Sequence, residues 1–223
     1  MRLNVEFTFF PTRVQRAQYI AARYRDLLQG KVLDVGCDSG ALKALLPHAD
    51  YTGIDAVGTP DILLNLEQVN ELPFADNTFD CVICTDVLEH LNNLHAMFGE
   101  LLRVSKGSVI LSLPNCWSSA RQPIQRGRGS FLHYGLPLEP PVDRHKWFFN
   151  ITDAISFLEG HRRNADYSIE ELHITEKPRA WFRKALRRLA FPNQQSYLNR
   201  YANTLWTVLR KEPRAGAVLR RVA

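Results

Sequence analysis

Short apolar runs recur along the first half of the chain, and each run ends at a polar or turn-forming residue. These runs predict strands at 32–35, 51–55, 62–66, 79–84 and 109–113. They are continuous rather than alternating, which is typical of strands that are buried on both faces of a sheet. Helical spacing of apolar residues predicts helices between them at 11–29, 41–46 and 87–104. This alternation indicates a parallel sheet with helices on both faces.

The second half of the chain continues the pattern after an irregular stretch. It predicts a helix at 152–158 with Thr152 as N-cap, a strand at 167–175, a basic helix at 179–191 and a last strand at 203–210. We therefore predict one domain with five parts. These are an N-terminal arm and helix (1–30), a ligand-binding core (31–115), a lid or substrate loop (116–150), a C-terminal part with the basic helix (151–212) and a flexible tail (213–223).

Ligands of such sheets bind beyond the carboxyl ends of the strands. The first strand ends in a turn with Gly36 and Gly40, which permit the backbone to pass close to a ligand. Asp34 beside this turn would repel a pyrophosphate and attract an ammonium group. The glycine spacing also differs from G-x-G-x-x-G. Both observations argue against a dinucleotide.

Other strand ends carry further polar groups. An acid at the position of Asp55 can take both hydroxyls of a ribose, and an amide at Asn65 can hydrogen-bond the edge of a base. Segment 85–91, just past the fourth strand, adds a hydroxyl, two carboxylates and an imidazole: Thr85, Asp86, Glu89 and His90.

Segments 32–40, 53–55, 72–80 and 87–91 resemble, in order and spacing, the successive motifs of class I S-adenosylmethionine-dependent methyltransferases. The similarity covers about residues 31–115. It implies an α/β Rossmann-like sheet of seven mostly parallel strands with an antiparallel last strand. The irregular segment after the fifth strand would then be an inserted lid. The resemblance also implies S-adenosyl-L-methionine as co-substrate.

The resemblance assigns cofactor-binding roles to nine residues. The backbone at Gly36, Cys37 and Gly40 would lie close to the methionine part of the cofactor, and Asp34 would bind the ammonium group of that part. Asp55 would hold the ribose, and Ala56 beside it is a further cofactor-binding residue. Asn65 and the Leu66 backbone would contact the adenine, and Thr85 would contact the methionine end. The sequence departs from the family pattern twice. Asp38 replaces the middle glycine of the turn, and Asn65 replaces an aspartate.

Methyl transfer requires mainly alignment and exclusion of water, because the sulfonium is already activated. A hydroxyl acceptor also needs a base, for which histidine is suited at neutral pH. The candidates are His90, His133 and His145, with a structural role as the alternative for each. No metal site is predicted. Cys81 and Cys84 lie in a strand with side chains on opposite faces, so we predict buried thiols rather than a zinc or redox pair.

The excess positive charge of the chain, formally +5, is concentrated from Lys177 to the end. This part contains many basic residues and a single acid, Glu212. Helix 179–191 has an apolar and a basic face, which is typical of a helix on an anionic membrane. The alternative is a helix packed on the sheet with a solvated basic face. Binding to nucleic acid is not favoured, because no known module is recognisable. The sequence does not indicate an oligomeric state.

The sequence therefore predicts a methyltransferase that acts on a small-molecule, sugar or lipid-linked acceptor, with transfer to oxygen. The N-terminus lacks the features of a signal peptide, so we expect a cytoplasmic protein, with peripheral contact at the inner membrane face through 179–191. Two alternatives remain. One is a non-catalytic regulatory or scaffold protein that binds S-adenosylmethionine. The other is a nicotinamide oxidoreductase, which the glycine spacing disfavours.

Overall fold

One sheet organises the computed structural model, which describes residues 3–131, 133–139, 141, 143–163 and 165–212. Its strands are β1 (Asn4–Glu6), β2 (Lys31–Val35), β3 (Asp50–Asp55), β4 (Ile62–Leu63), β5 (Phe79–Thr85), β6 (Ser105–Pro114), β7 (Tyr167–Glu176) and β8 (Ala202–Lys211). Their order across the sheet is β1-β7-β8-β6-β5-β2-β3-β4. β8 runs antiparallel to β6 and β7, and the other neighbouring pairs are parallel. The predicted Rossmann-like fold is confirmed, and the predicted tail 213–223 lies outside the described residues.

Helices cover both faces of this sheet. They are α1 (Arg13–Arg23), α2 (Leu94–Val104), α3 (Cys116–Arg126), α4 (Ile151–His161), α5 (Trp181–Ala190) and α6 (Gln194–Tyr201), with short 3₁₀ turns at Lys43–Leu45 and Leu88–His90. Among the described residues, no helix is long and apolar enough to cross a membrane.

The hydrophobic core is divided by the sheet into two layers. The larger layer contains buried residues of α2, α4 and α6 together with Cys84. The smaller layer contains the apolar side of α1, Trp206 and Cys81. Both cysteines are fully buried free thiols, as predicted from their odd spacing.

The sheet has one strand more than predicted, and this additional strand is β1, at one edge of the sheet. Only an arm is predicted before the first helix, but Asn4–Glu6 pairs in parallel with His173–Thr175 of β7. The pairing covers backbone groups that an edge strand would otherwise expose. A three-residue segment has too little apolar pattern to be recognised from sequence.

Two predicted helices are wrong in form. Residues 41–46 form only the 3₁₀ turn, because Leu46 precedes Pro47 and leaves the helical region (φ −120°, ψ 57°). The single helix predicted at 87–104 is interrupted between the second 3₁₀ turn and α2. There the indole of Trp147 donates to Leu91 O at 2.7 Å, and the Asn93 amide donates to Leu66 O at 3.0 Å.

Smaller differences concern helix ends. α1 ends at Arg23 rather than at residue 29. α4 is capped by Asn150 rather than Thr152, in a capping box with Asp153. Segment 116–150 contains α3, and α6 was not predicted because its buried residues, Tyr197 and Leu198, do not form an apolar stripe.

Asn115, at the end of β6, holds the C-terminal part against the core. Its buried side-chain amide donates to Leu198 O at 3.2 Å, Asn199 O at 3.0 Å and Ala202 O at 2.8 Å. The residue therefore serves packing, although its position at a strand end also suited a ligand site.

We expect Asn115→Ala to lower the free energy of unfolding by about 1–3 kcal/mol, because it leaves buried carbonyl groups without donors. Urea denaturation monitored by circular dichroism measures the change. Asn70→Ala, at an exposed position, is the control and should stay within about 0.5 kcal/mol of wild type. Equal stability of both variants would contradict the role of Asn115.

Candidate functional site

The turn after β2 is built from residues in the left-handed region. Gly36, Asp38 and Gly40 have φ values of 82°, 50° and 67°. Gly36 must lack a side chain, because a Cβ there would lie 2.3 Å from Val87 Cγ2. Asp38 adopts a conformation that aspartate tolerates better than most residues do. The turn therefore keeps its left-handed form although its middle glycine is replaced.

Asp38 is also fixed by polar contacts. Its side chain pairs with Arg13 Nη1 at 2.6 Å, and this hydrogen bond lowers the pKa of the Asp38 carboxyl. Its N–H donates to Asp55 Oδ2 at 2.8 Å, and Val57 N–H donates to Asp55 Oδ1 at 3.1 Å. Asp55 thus joins the turn after β2 to the loop after β3.

A cavity of about 590 Å³ opens at the carboxyl edge of the strands. Nearly all predicted cofactor-binding residues line it: Asp34, Gly36, Cys37, Asp55, Ala56, Asn65, Leu66 and Thr85. Gly40 does not line it, and its N–H donates to Cys37 O at 2.9 Å within the turn. Of the three histidine candidates, His90 lines the cavity, whereas His133 and His145 do not.

Asp34 is a buried carboxylate on the cavity wall. The Tyr51 hydroxyl donates to Asp34 Oδ2 at 2.7 Å. Burial nevertheless dominates and raises the pKa of Asp34 to about 6. The Asp34 carboxyl group is therefore largely ionised at neutral pH, and its buried negative charge would attract a cationic ligand.

The sequence did not indicate the contribution of α1 to this cavity. Arg13 and Arg16 line it, and Arg16 pairs with Asp86 beyond β5. Asp86 has φ 53° and also accepts from Ser112 Oγ at 2.6 Å. The basic residues on the polar face of α1 were the available signal, but their spacing alone does not distinguish a cavity wall from a solvated face.

The predicted lid supplies another wall. Pro141, Asp143, Arg144 and Lys146 line the cavity. Lys146 N–H donates to Glu89 O at 2.8 Å, and Lys146 Nζ lies 2.6 Å from Glu67 Oε2. This segment is therefore attached to the loops that follow β4 and β5.

The three histidine candidates form one cluster. The rings of His133 and His145 stack with centroids 4.2 Å apart, and His90 meets His145 edge-on at 4.6 Å. Burial lowers the pKa of His90, and burial with the neighbouring histidines lowers the pKa of His145 to about 3. Both imidazoles are therefore neutral at neutral pH.

Glu89 lies beneath this cluster. Its side chain is fully buried, and neither carboxylate oxygen accepts a hydrogen bond from a described residue. Burial, followed by the charge of Asp86, raises the pKa of Glu89 well above its ordinary value. Oxygen or nitrogen atoms of Glu89, His90 and His145 lie within 4.8 Å of one another.

Comparison with known proteins identifies the family. Residues 12–159 match the family model described as a methyltransferase domain, and the chain therefore belongs to this family, whose co-substrate is S-adenosylmethionine. The fold agrees with magnesium protoporphyrin IX methyltransferase from Synechocystis, solved with bound S-adenosylhomocysteine. The TM-score is 0.52 and the identity 18%, over 92% of this chain and 90% of that one.

Two curated relatives are methyltransferases of quinone biosynthesis. The ubiquinone biosynthesis O-methyltransferase of Rickettsia typhi is 31% identical over 121 residues, which is 45% of this chain and 49% of that protein. The ubiquinone/menaquinone biosynthesis C-methyltransferase UbiE of Desulfotalea psychrophila is 26% identical over 136 residues, or 54% and 55% of the two chains. The chain thus spans about half the length of these relatives.

Proposed function

We propose that this protein transfers the methyl group of S-adenosylmethionine to an oxygen of a small-molecule, sugar or lipid-linked acceptor. The observation that carries the proposal is the cavity at the strand edge. It has the buried carboxylate of Asp34 and the left-handed turn on one side and His90 on another. The similarity to the Rickettsia O-methyltransferase supports oxygen as the methylated atom, and the similarity to the Desulfotalea C-methyltransferase makes carbon the alternative.

The cofactor assignments are supported by which hydrogen-bonding groups remain available. Each oxygen of Asp55 accepts one backbone N–H and keeps a second lone pair for a ribose hydroxyl. Asn65 Oδ1 accepts from Glu67 N at 3.0 Å and keeps a second lone pair, and its NH₂ group can donate, so the side chain can bond either a donor or an acceptor of the adenine edge. Asp34 is assigned to the ammonium group, and Gly36, Cys37 and Thr85 to the rest of the methionine part. Gly40 would shape the turn rather than touch the ligand.

His90 is assigned to the acceptor side of the cavity. Its neutral imidazole can accept the proton of a hydroxyl. His133 and His145 stand behind it and would hold it in place. Pro141 and residues 143–146 would cover the bound substrate and exclude water, as a lid does.

We expect the affinity for S-adenosylhomocysteine to fall about tenfold between pH 7 and pH 5. Asp34, with its pKa of about 6, loses its charge as the pH falls through that value, while the ligand's amino group stays cationic. Isothermal titration calorimetry measures this. Asp34→Asn should bind weakly at pH 7 without the pH dependence, whereas Asp26→Asn, an exposed acid, should retain it. A wild-type affinity that does not change with pH would contradict the role of Asp34.

We expect labelled methyl transfer to a hydroxyl in a panel of phenols, sugars and prenylated phenols. His90→Ala should lower the rate about 10²–10⁴-fold and leave the affinity for S-adenosylhomocysteine within about threefold. His48→Ala, at an exposed position, is the control. Product analysis identifies the methylated atom of the acceptor, and a methyl group on carbon would contradict the proposed O-methylation. Cofactor binding without transfer to any acceptor would favour the non-catalytic alternative.

We further propose that α5 contacts an anionic membrane through its apolar face. No residue of α5 is buried, and Trp181 and Leu189 are 78% and 79% exposed. Three basic residues instead lie against the protein. Lys184 Nζ is 3.8 Å from the Phe7 ring centroid, Arg187 is 3.4 Å from Glu176, and Arg188 Cζ is 3.8 Å from the Tyr197 ring centroid. The expected alternative, an apolar face packed on the sheet with a solvated basic face, is therefore wrong.

Sedimentation with vesicles of anionic phospholipid tests this contact. The wild type should sediment with the vesicles, and Trp181→Ser combined with Leu189→Ser should abolish it by removing the apolar groups that insert. Ile124→Ser in α3, which is 64% exposed, is the control and should change nothing. If the wild type remains in the supernatant, the membrane contact is refuted.

A further inference from the structure

Glu89 is an unusual group for the interior of a protein. A fully buried carboxylate without a hydrogen-bond donor is costly unless a proton or a cation compensates it. Two imidazoles lie close to this carboxylate. His90 Nε2 lies 3.8 Å from Glu89 Oε1, and one nitrogen of His145 completes a set of three atoms within 4.8 Å of one another.

The second ring nitrogen of each histidine already has a partner. His90 Nδ1 lies 3.2 Å from Arg144 O, a carbonyl that can only accept, so this nitrogen carries the proton. His145 Nδ1 lies 2.9 Å from the Tyr134 hydroxyl, which also contacts Trp147 O at 2.9 Å and Cys116 Sγ at 2.7 Å. Trp147 O can only accept, so we assign the single hydroxyl proton to it, and the hydroxyl oxygen then accepts from the Cys116 thiol and from His145 Nδ1. In each ring the unprotonated Nε2 then remains free, which is the arrangement of histidines that bind metals.

The backbone holds these side chains together. Glu89 and His90 lie in the 3₁₀ turn after β5, and His145 lies on the segment that follows Asp143. The bond from Lys146 N–H to Glu89 O links the two segments, and His145 N–H donates to His133 O at 3.1 Å. Tetrahedral ligands at about 2.1 Å from one ion lie about 3.4 Å apart. Separations of up to 4.8 Å would therefore have to shorten by as much as roughly 1.4 Å, which is within reach of small side-chain rotations.

We propose that Glu89, His90 and His145 form a binding site for a first-row divalent transition-metal ion. Two nitrogen ligands and one carboxylate suit Zn²⁺, Mn²⁺, Co²⁺ or Fe²⁺, whereas Mg²⁺ and Ca²⁺ prefer sites made of oxygen. Three protein ligands leave coordination positions open. Asp86 is not part of the set, because its oxygens are engaged by Arg16 and Ser112.

The ion would also deepen the proposed function, and this consequence rests on that function. His90 lines the cavity, so the ion would lie beside the acceptor. With the ion on its Nε2, His90 would act as a ligand rather than as the base, because a metal ion lowers the pKa of a bound hydroxyl and the hydroxyl proton would pass to water. The oxygen lone pair then attacks the methyl carbon, and the electrons of the carbon–sulfur bond pass to sulfur and give S-adenosylhomocysteine. Acceptors with an oxygen that can coordinate the ion are therefore favoured.

Calorimetric titration of the chelator-treated protein tests the site without cofactor or acceptor. We expect one Zn²⁺ or Co²⁺ to bind, and Mg²⁺ to bind at least about 100-fold more weakly. Glu89→Gln, which keeps the shape of the side chain, and His145→Asn should each weaken Zn²⁺ binding at least about 100-fold. Tyr134→Phe should cost about 10–100-fold through the orientation of His145. His48→Asn is the control and should bind as the wild type does.

Two outcomes would overturn the proposal: no binding of Zn²⁺ or Co²⁺ by the folded wild-type protein, or binding that Glu89→Gln leaves unchanged. Visible absorption of bound Co²⁺ gives a second readout on the wild type alone, and its absence would also count against the site. Thermal unfolding of each variant verifies that it is folded. Failure of metal binding would leave the binding of S-adenosylhomocysteine and the methyl-transfer assay untouched, so the two proposals are distinguishable.

Discussion

The contact between Gly36 and Val87 joins the two sides of the candidate site. Only a residue without a Cβ lets the turn after β2 pack against Val87, because a Cβ would approach Cγ2 to 2.3 Å. Val87 directly precedes the 3₁₀ turn that carries Glu89 and His90. The turn assigned to the methionine part and the groups assigned to the acceptor therefore share one packing contact. A shift on either side would change the alignment on which methyl transfer depends.

The same turn is tied to β3 through the backbone. Gly36 and Cys37 donate their N–H groups to Ile54 O at 2.8 Å and 3.3 Å, and Asp38 donates to the Asp55 carboxylate. This explains why aspartate is accepted in place of the middle glycine. The hydrogen bond to Asp55 stabilises the left-handed backbone of Asp38, and Arg13 neutralises the charge of its side chain. The departure from the family pattern therefore leaves the turn intact.

Much of the fold and of the cavity could be predicted from local sequence. Consecutive parallel strands bring their carboxyl ends to one edge, so polar residues at those ends, such as Asp34, Asp55 and Thr85, had to lie close together. Contacts between distant segments could not be predicted. Arg16 reaches Asp86 across 70 residues, and no local pattern encodes that pairing. The three histidines were singled out separately, but their clustering depends on tertiary contacts that bring His133 and His145 to His90.

Short elements were the other source of error. β1 and the 3₁₀ turn at Lys43–Leu45 contain too few residues for periodicity to define them. The interruption before α2 depends on Trp147, a residue distant in sequence, whose indole N–H donates to the carbonyl oxygen of Leu91. Tertiary contacts decided these elements, whereas the apolar strands and α2 were defined by their own residues.

A crystal structure with bound S-adenosylhomocysteine tests the central claim most directly. The account predicts the ribose hydroxyls on Asp55, the ammonium group at Asp34 and the sulfur facing the side of the cavity formed by His90. A ligand bound elsewhere, or a sulfur turned away from His90 with no room for an acceptor between them, would contradict it.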